Sequence, residues 1–279
     1  MKKAINIWSF GEKAVKDAID LAKIAGFDGI ELALDKTGPV SLVSSQQDLL
    51  EIKSYAEKTG VKIHSLATGL YWQYSMTSDD KNEREKAIDI AKSQLRIASV
   101  LGADGVLIVP GAVGVDFTGN SDGIVRYDIA YDRALDAINE IKSVAEECQV
   151  YACIENVWNK FLLSPIEMRD FIDKIDSRFV GAFFDVGNVV FCGYPEHWIE
   201  ILGKRIKKVH FKDYRRAAGG IHGFVDLLAG DVNWPAVAAA LRGIGYDNWV
   251  TAEMVPAYIH CTDQIIYNTS GAMDSILSL

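Results

Sequence analysis

Two hydrophobic patterns alternate along this chain. The first is a short, nearly continuous apolar run rich in β-branched and aromatic residues, as in a strand covered on both faces. It occurs as "AINIWSF" (4–10), "GIELAL" (29–34), "VKIHSLA" (61–67), "GVLIVP" (105–110), "VYACIEN" (150–156), "VGAFFDV" (180–186), "IKKVHFKD" (206–213) and "NWVTAEM" (248–254). The second pattern spaces apolar residues three and four apart, on one face of a helix. "EKAVKDAIDLAKIAG" sets Val15, Ala18, Ile19, Ala22 and Ala25 on one stripe, and Gly26 follows as a stop. "DKNEREKAIDIAKSQLRIASVLG" opens on acidic residues and closes at Gly102, as the helix dipole favours. In "SPIEMRDFIDKI", Ser164 is placed as the N-cap, Pro165 at the first helical position and Glu167 at the third.

Eight strands alternating with eight helices predict an α/β fold, a (βα)8 TIM barrel covering 1–279 as one domain. An open, doubly wound sheet would need a glycine-rich first turn, and "WSFGEKAVK" has a single glycine. Two strand-to-helix connections are long: "PGAVGVDFTGNSDG" (110–123) and "YRRAAGGIHGFVDLLAGD" (214–231). Loops of that length usually line or cover a site.

One run breaks its own pattern. "AFFDVGNVVF" (182–191) is apolar until Asp185 interrupts it. Chemistry in such barrels sits at the C-terminal ends of the strands, so the last polar residue of each run matters. Four consecutive runs end on metal-ligand types: Glu155 in "IEN", Asp185 in "FFDVGN", His210 in "VHFKD" and Glu253 in "TAEM". Taken singly, an aspartate there caps the next helix, a glutamate is solvated and a histidine packs in the core. Together, three carboxylates would repel one another at low dielectric, and a divalent cation resolves that. The oxygen-rich set points to Mn²⁺, Mg²⁺ or Co²⁺ over structural zinc, which prefers thiolates and imidazoles. His64, on the third run, either faces the cavity or packs in the core.

Composition narrows the partners. The 38 acidic residues outnumber the 29 basic ones, for a formal charge of -9, which disfavours nucleic acid but leaves room for a locally basic pocket. Cysteines 148, 153, 192 and 261 form no C-x-x-C pair, so reduced, mostly buried thiols and a cytoplasmic location are expected. "MKKAINIWSF" runs into the charged "GEKAVKDAID" and lacks the pattern of a signal peptide. No apolar stretch approaches the ~20 residues of a membrane span.

At the four strand ends the sequence resembles the xylose-isomerase-like sugar isomerase/epimerase superfamily. That group holds the ketose 3-epimerases, hydroxypyruvate isomerase, inosose dehydratase and endonuclease IV. The resemblance implies that Glu155, Asp185, His210 and Glu253 hold Mn²⁺ or Co²⁺. It further implies that Glu155 and Glu253 carry the C3 proton of a small keto-sugar or sugar phosphate through a cis-enediolate. An arginine six residues after the histidine contacts substrate in the epimerases; here it is Arg216, beside Arg215, with Lys212 a further candidate. Solvated loop cations are the alternative for these three. Where the epimerases often carry a histidine three residues after the aspartate, this chain has Asn188. Where they carry a glutamate after "NRF", it has "NKF" and then Leu162. Trp8, Trp72 and Trp158 form an apolar wall or pack in the core. A homodimer or homotetramer is implied by the resemblance alone. The competing expectations are a lyase using the same enolisation, a metal-binding protein without activity, and a nuclease, which five histidines scarcely supply.

Overall fold

The apolar runs pair side by side in chain order and close on themselves. The computed structural model describes residues 1–117 and 123–279; residues 118–122, in the long connection after the fourth strand, lie outside the description. The barrel strands are β1 (Lys2–Asn6), β2 (Gly29–Leu34), β3 (Lys62–Thr68), β4 (Gly105–Ile108), β5 (Tyr151–Glu155), β6 (Val180–Asp185), β7 (Ile206–Phe211) and β10 (Trp249–Ala252). All pairings are parallel, and β1 bonds to both β2 and β10, which seals the barrel. Between β7 and β10 an antiparallel pair is inserted, β8 (Asp213–Tyr214) and β9 (Phe224–Val225).

The helices are α1 (Val15–Ile24), α2 (Gln46–Thr59), α3 (Lys81–Leu101), α4 (Tyr127–Cys148), α5 (Pro165–Ile175), α6 (Val186–Val190), α7 (Pro195–Leu202), α8 (Trp234–Gly243) and α9 (Gln264–Leu277). Their ends follow the local chemistry. Ser164 Oγ accepts from Glu167 N at 3.2 Å to start α5, and Gly102 ends α3 in the left-handed region at φ 76°. The stripe of α1 buries Ala18, Ile19, Leu21 and Ala22 against the sheet.

Two boundaries differ from the sequence reading. The first run stops as a strand at Asn6, whose side chain accepts from Trp8 N at 2.7 Å and turns Ile7–Phe10 into a 3₁₀ helix. Nine α-helices are found among the described residues where eight were predicted, because the β6–β7 connection is split into α6 and α7. Of the four cysteines, all free, only Cys153 is fully buried; Cys192 and Cys261 are exposed, against the expectation that most would be covered.

Register sets the levels of the barrel interior. Asn6 lies beside Glu31 and Glu31 beside Ser65. On the other wall Asp185 lies beside His210, and His210 beside Thr251. Barrel cores are usually filled by branched aliphatic side chains. Here the interior also carries a polar column: Asn6, Glu31, His64, Ser65, Lys208, His210 and Thr251 are all buried.

Candidate metal centre

β5 and β6 end on a ligand, β7 carries one just before its last residue, and the fourth follows β10 by one position. Glu155, Asp185, His210 and Glu253 are all buried, and one ligand atom from each lies within 4.8 Å of the others. His210 Nδ1 is 2.9 Å from Glu253 Oε2 and 3.7 Å from both Glu155 Oε1 and Asp185 Oδ2. Asp185 serves two purposes with two oxygens. Its Oδ1 accepts from Asn188 N at 2.8 Å and caps α6, while Oδ2 turns into the cluster. Capping α6 and joining the cluster therefore coexist in one side chain.

Burial comes first among the forces on these groups. It pushes the Glu155 carboxyl up to about 7 and raises that of Asp185. Glu253 is buried too, yet Lys212 and His210 hold it down at about 2. Burial would lower His210, but the charges of Glu31 and Glu253 hold it well above its ordinary value. Lys212 Nζ stands 3.0 Å from Asp185 Oδ2 and 2.6 Å from Glu253 Oε2, and those carboxylates raise its pKa despite burial.

The donor set fits a divalent ion. Asp185 Oδ2, His210 Nδ1 and Glu253 Oε2 are buried and converge on one place, where their near neighbours are one another, Glu155 and the single Lys212 ammonium. Such atoms are costly to bury unless something else engages them. Three carboxylate oxygens and one imidazole nitrogen are hard to intermediate ligands of the type that hold such ions.

Behind the imidazole stands a residue that sequence reasoning missed. Glu31 Oε1 accepts from His210 Nε2 at 2.7 Å, across the barrel from β2 to β7. The same carboxylate accepts from Asn6 Nδ2 and Ser65 Oγ, each at 2.6 Å. With Nε2 committed to Glu31, Nδ1 is the ring nitrogen left for the cluster, the arrangement that orients metal-bound histidines generally. The signal was the lone carboxylate of "GIELAL", which no neighbour in sequence made conspicuous.

A cavity opens above the cluster. Glu155 and Glu253 line it, whereas Asp185 and His210 do not. Its walls include Trp8, Trp72, Phe117, Trp158 and Phe224, with Asn188 and Lys212 among the few polar members. Trp158 Nε1 donates to Asn188 O at 2.9 Å, and Asn188 Nδ2 to Asn156 O at 3.0 Å. Of the two placements open for His64, the structure gives the core. It is fully buried, stacks on Trp249 with ring centroids 4.8 Å apart, and lies 3.1 Å from Thr251 Oγ1 through Nε2. Arg215 and Arg216 are exposed and do not line the cavity. Arg215 donates to the Ala229 carbonyl, and Arg216 Nε to Val190 O at 2.8 Å.

A closed parallel (βα)8 barrel with buried acid, acid, imidazole and acid at its C-terminal mouth defines a class of metal-site barrels. The chain belongs to the Xylose isomerase-like TIM barrel family, whose model matches residues 19–266. It is 22% identical over 241 residues to L-ribulose-5-phosphate 3-epimerase UlaE of Salmonella paratyphi C, covering 82% of this chain and 78% of that one. An uncharacterised protein of Methanocaldococcus jannaschii is 22% identical over 259 residues, 91% of this chain and 83% of its own. Among solved structures, D-psicose 3-epimerase from Clostridium cellulolyticum H10 superposes with a TM-score of 0.81 at 20% identity, over 99% of each chain. The IOLI protein, described with a binding zinc atom, gives 0.81 at 19% identity over 100% of this chain and 98% of that one.

Proposed function

We propose that this protein is a metal-dependent isomerase or epimerase of a keto-sugar or sugar phosphate. One observation carries the reading: of the four clustered residues, the two glutamates are the ones that face the cavity. They arrive from β5 and from the end of β10, which are not neighbours in the barrel. A substrate carbon seated above the cluster therefore meets a carboxylate from each side. One removes the proton next to the carbonyl and the other returns one to the opposite face, which inverts the centre. Their environments differ, with Glu155 pushed up to about 7 and Glu253 held at about 2.

Glu155, Asp185, His210 and Glu253 would hold the ion, with Mn²⁺ favoured by the oxygen-rich set and Mg²⁺ or Co²⁺ as alternatives. When bound, it supplies Lewis-acid stabilisation of the negative charge that develops on the substrate oxygen. Trp8, Trp158 and Asn188 are proposed to contact the substrate. The relatives named as 3-epimerases support the reaction class. The lyase alternative draws on Lys212, an ammonium at the cavity wall that could protonate a departing hydroxide. A product lighter by one water would identify it.

The test is deuterium wash-in. Mn²⁺-loaded protein in D₂O should incorporate deuterium next to the carbonyl of a ketose, followed by NMR. Glu253→Gln should cut turnover at least ~10²-fold, the lower range for losing a general base. Full epimerisation by this variant at saturating Mn²⁺ would overturn the two-base mechanism.

A further inference from the structure

We infer that the cavity takes an uncharged substrate with an apolar face, a free ketose or deoxyketose rather than a sugar phosphate; this rests on the epimerase reading above. Cations are the first means of holding a phosphate. Among the described residues the cavity is lined by one, Lys212, already paired with Asp185 Oδ2 and Glu253 Oε2. Residues 118–122 read TGNSD, so that segment brings no Lys, Arg or His. The two arginines of the loop after β7 lie outside the cavity, and each turns one guanidinium nitrogen to a backbone carbonyl away from it. Three carboxylates, one ammonium and a divalent ion leave no net positive charge for a phosphate dianion.

Backbone N–H groups are the other means of holding phosphate, and barrels commonly use the loops after strands seven and eight for it. In the loop after β7 a protein carboxylate has taken three of them. Asp213 Oδ1 accepts from Tyr214 N at 2.8 Å and Val232 N at 3.2 Å; Oδ2 accepts from Leu228 N and Trp234 Nε1, each at 3.0 Å. Arg216 N likewise donates to Asp231 Oδ2 at 2.8 Å. These four N–H groups already hold protein carboxylates, and a second anion there would meet like charge.

What the cavity offers instead is aromatic surface: Trp8, Trp72 and Phe117 on one side of the chain order, Trp158 and Phe224 on the other. Trp72 and Phe117 meet edge to face at 5.1 Å, and Trp158 lies 5.2 Å from Phe224. Such rings pack against the C–H face of a sugar or a terminal methyl, and the polar contacts remain at the carboxylate end.

The test compares matched pairs. Mn²⁺-loaded protein is given L-ribulose and L-ribulose 5-phosphate, D-fructose and D-fructose 6-phosphate, and a 6-deoxyketohexose. Deuterium wash-in reads turnover, and tryptophan fluorescence quenching reads occupancy whether or not exchange occurs. The phosphates should show kcat/KM and affinity roughly 10- to 100-fold below their free partners, the range for burying a charged group without partners. The deoxy sugar should exceed its parent hexose roughly 2- to 30-fold, because it has no terminal hydroxyl to strip of water against an apolar wall. A phosphate handled as well as its free sugar, or better, would overturn the inference. Quenching by free sugars alone, with no exchange by any compound, would leave the uncharged cavity standing and sink the epimerase reading. No quenching and no exchange by any of them would sink both.

Discussion

Glu31 is the residue whose replacement should separate metal binding from folding. It receives three buried donors on one carboxylate, including the imidazole that faces the cluster. Glu31→Gln keeps an acceptor for His210 but removes the charge that favours a strong Nε2–H donor. Mn²⁺ affinity measured by calorimetry should fall ~10- to 100-fold, the range for such outer partners, with the far-UV dichroism unchanged. Wild-type affinity would mean that Glu31 only fills space. His64 makes a second prediction. Burial holds its pKa well below 6.5, with Lys208 and His210 acting in the same direction. The folded protein therefore keeps it neutral, while the unfolded chain takes up a proton near 6.5. Its contribution is fully present above that value and is lost as the pH falls, by up to ~1.4 kcal/mol per unit for one proton. Urea unfolding between pH 5 and 6.5 should be less steeply pH-dependent in His64→Gln than in wild type.

At the level of elements, the tight contact is between α6 and the chain just after β7. A Cβ on Gly187 would sit 2.5 Å from Lys212 Cβ and 3.0 Å from its carbonyl carbon, so the glycine in "DVGN" permits the approach that aims Lys212 at the cluster. Gly187→Ala should cost about 1–3 kcal/mol, as overpacking does, and should weaken Mn²⁺ binding by shifting Lys212 and the α6 cap together. Chemical denaturation and calorimetry would show both, and loss of one alone would argue against the coupling. The same elements show what a sequence discloses. The four ligands were legible because each interrupts an apolar run at its end, where polarity has no packing reason. Glu31 and His64 sit inside their runs, and which side of a strand faces the axis depends on register between strands, which sequence spacing does not contain. The side-chain positions of Arg215 and Arg216 depend on the β8–β9 pair, which formed from a stretch that read as plain loop. The eight-unit barrel itself was readable because alternation of two periods leaves few topologies.

For the molecule as a whole, three buried carboxylates gathered on one imidazole and one ammonium imply that a bound ion stabilises the fold. Mn²⁺ at a hundredfold excess over its Kd should add about 2.7 kcal/mol by mass action, read as a rise in Tm of several degrees. Asp185→Ala should abolish that rise, and a shift of unchanged size would show that the ion binds elsewhere. The division of labour around the cavity has a further consequence. Three of the four acid and imidazole groups belong to barrel strands and the fourth follows one directly, whereas Trp72, Phe117, Trp158, Ile221, Phe224 and Val255 stand on the connections above them. Under the function proposed above, variation in those connections changes which molecule is admitted while the four strand-end groups stay fixed, so a lineage built on this scaffold can exchange its substrate by small steps without passing through an ancestor that has lost its chemistry.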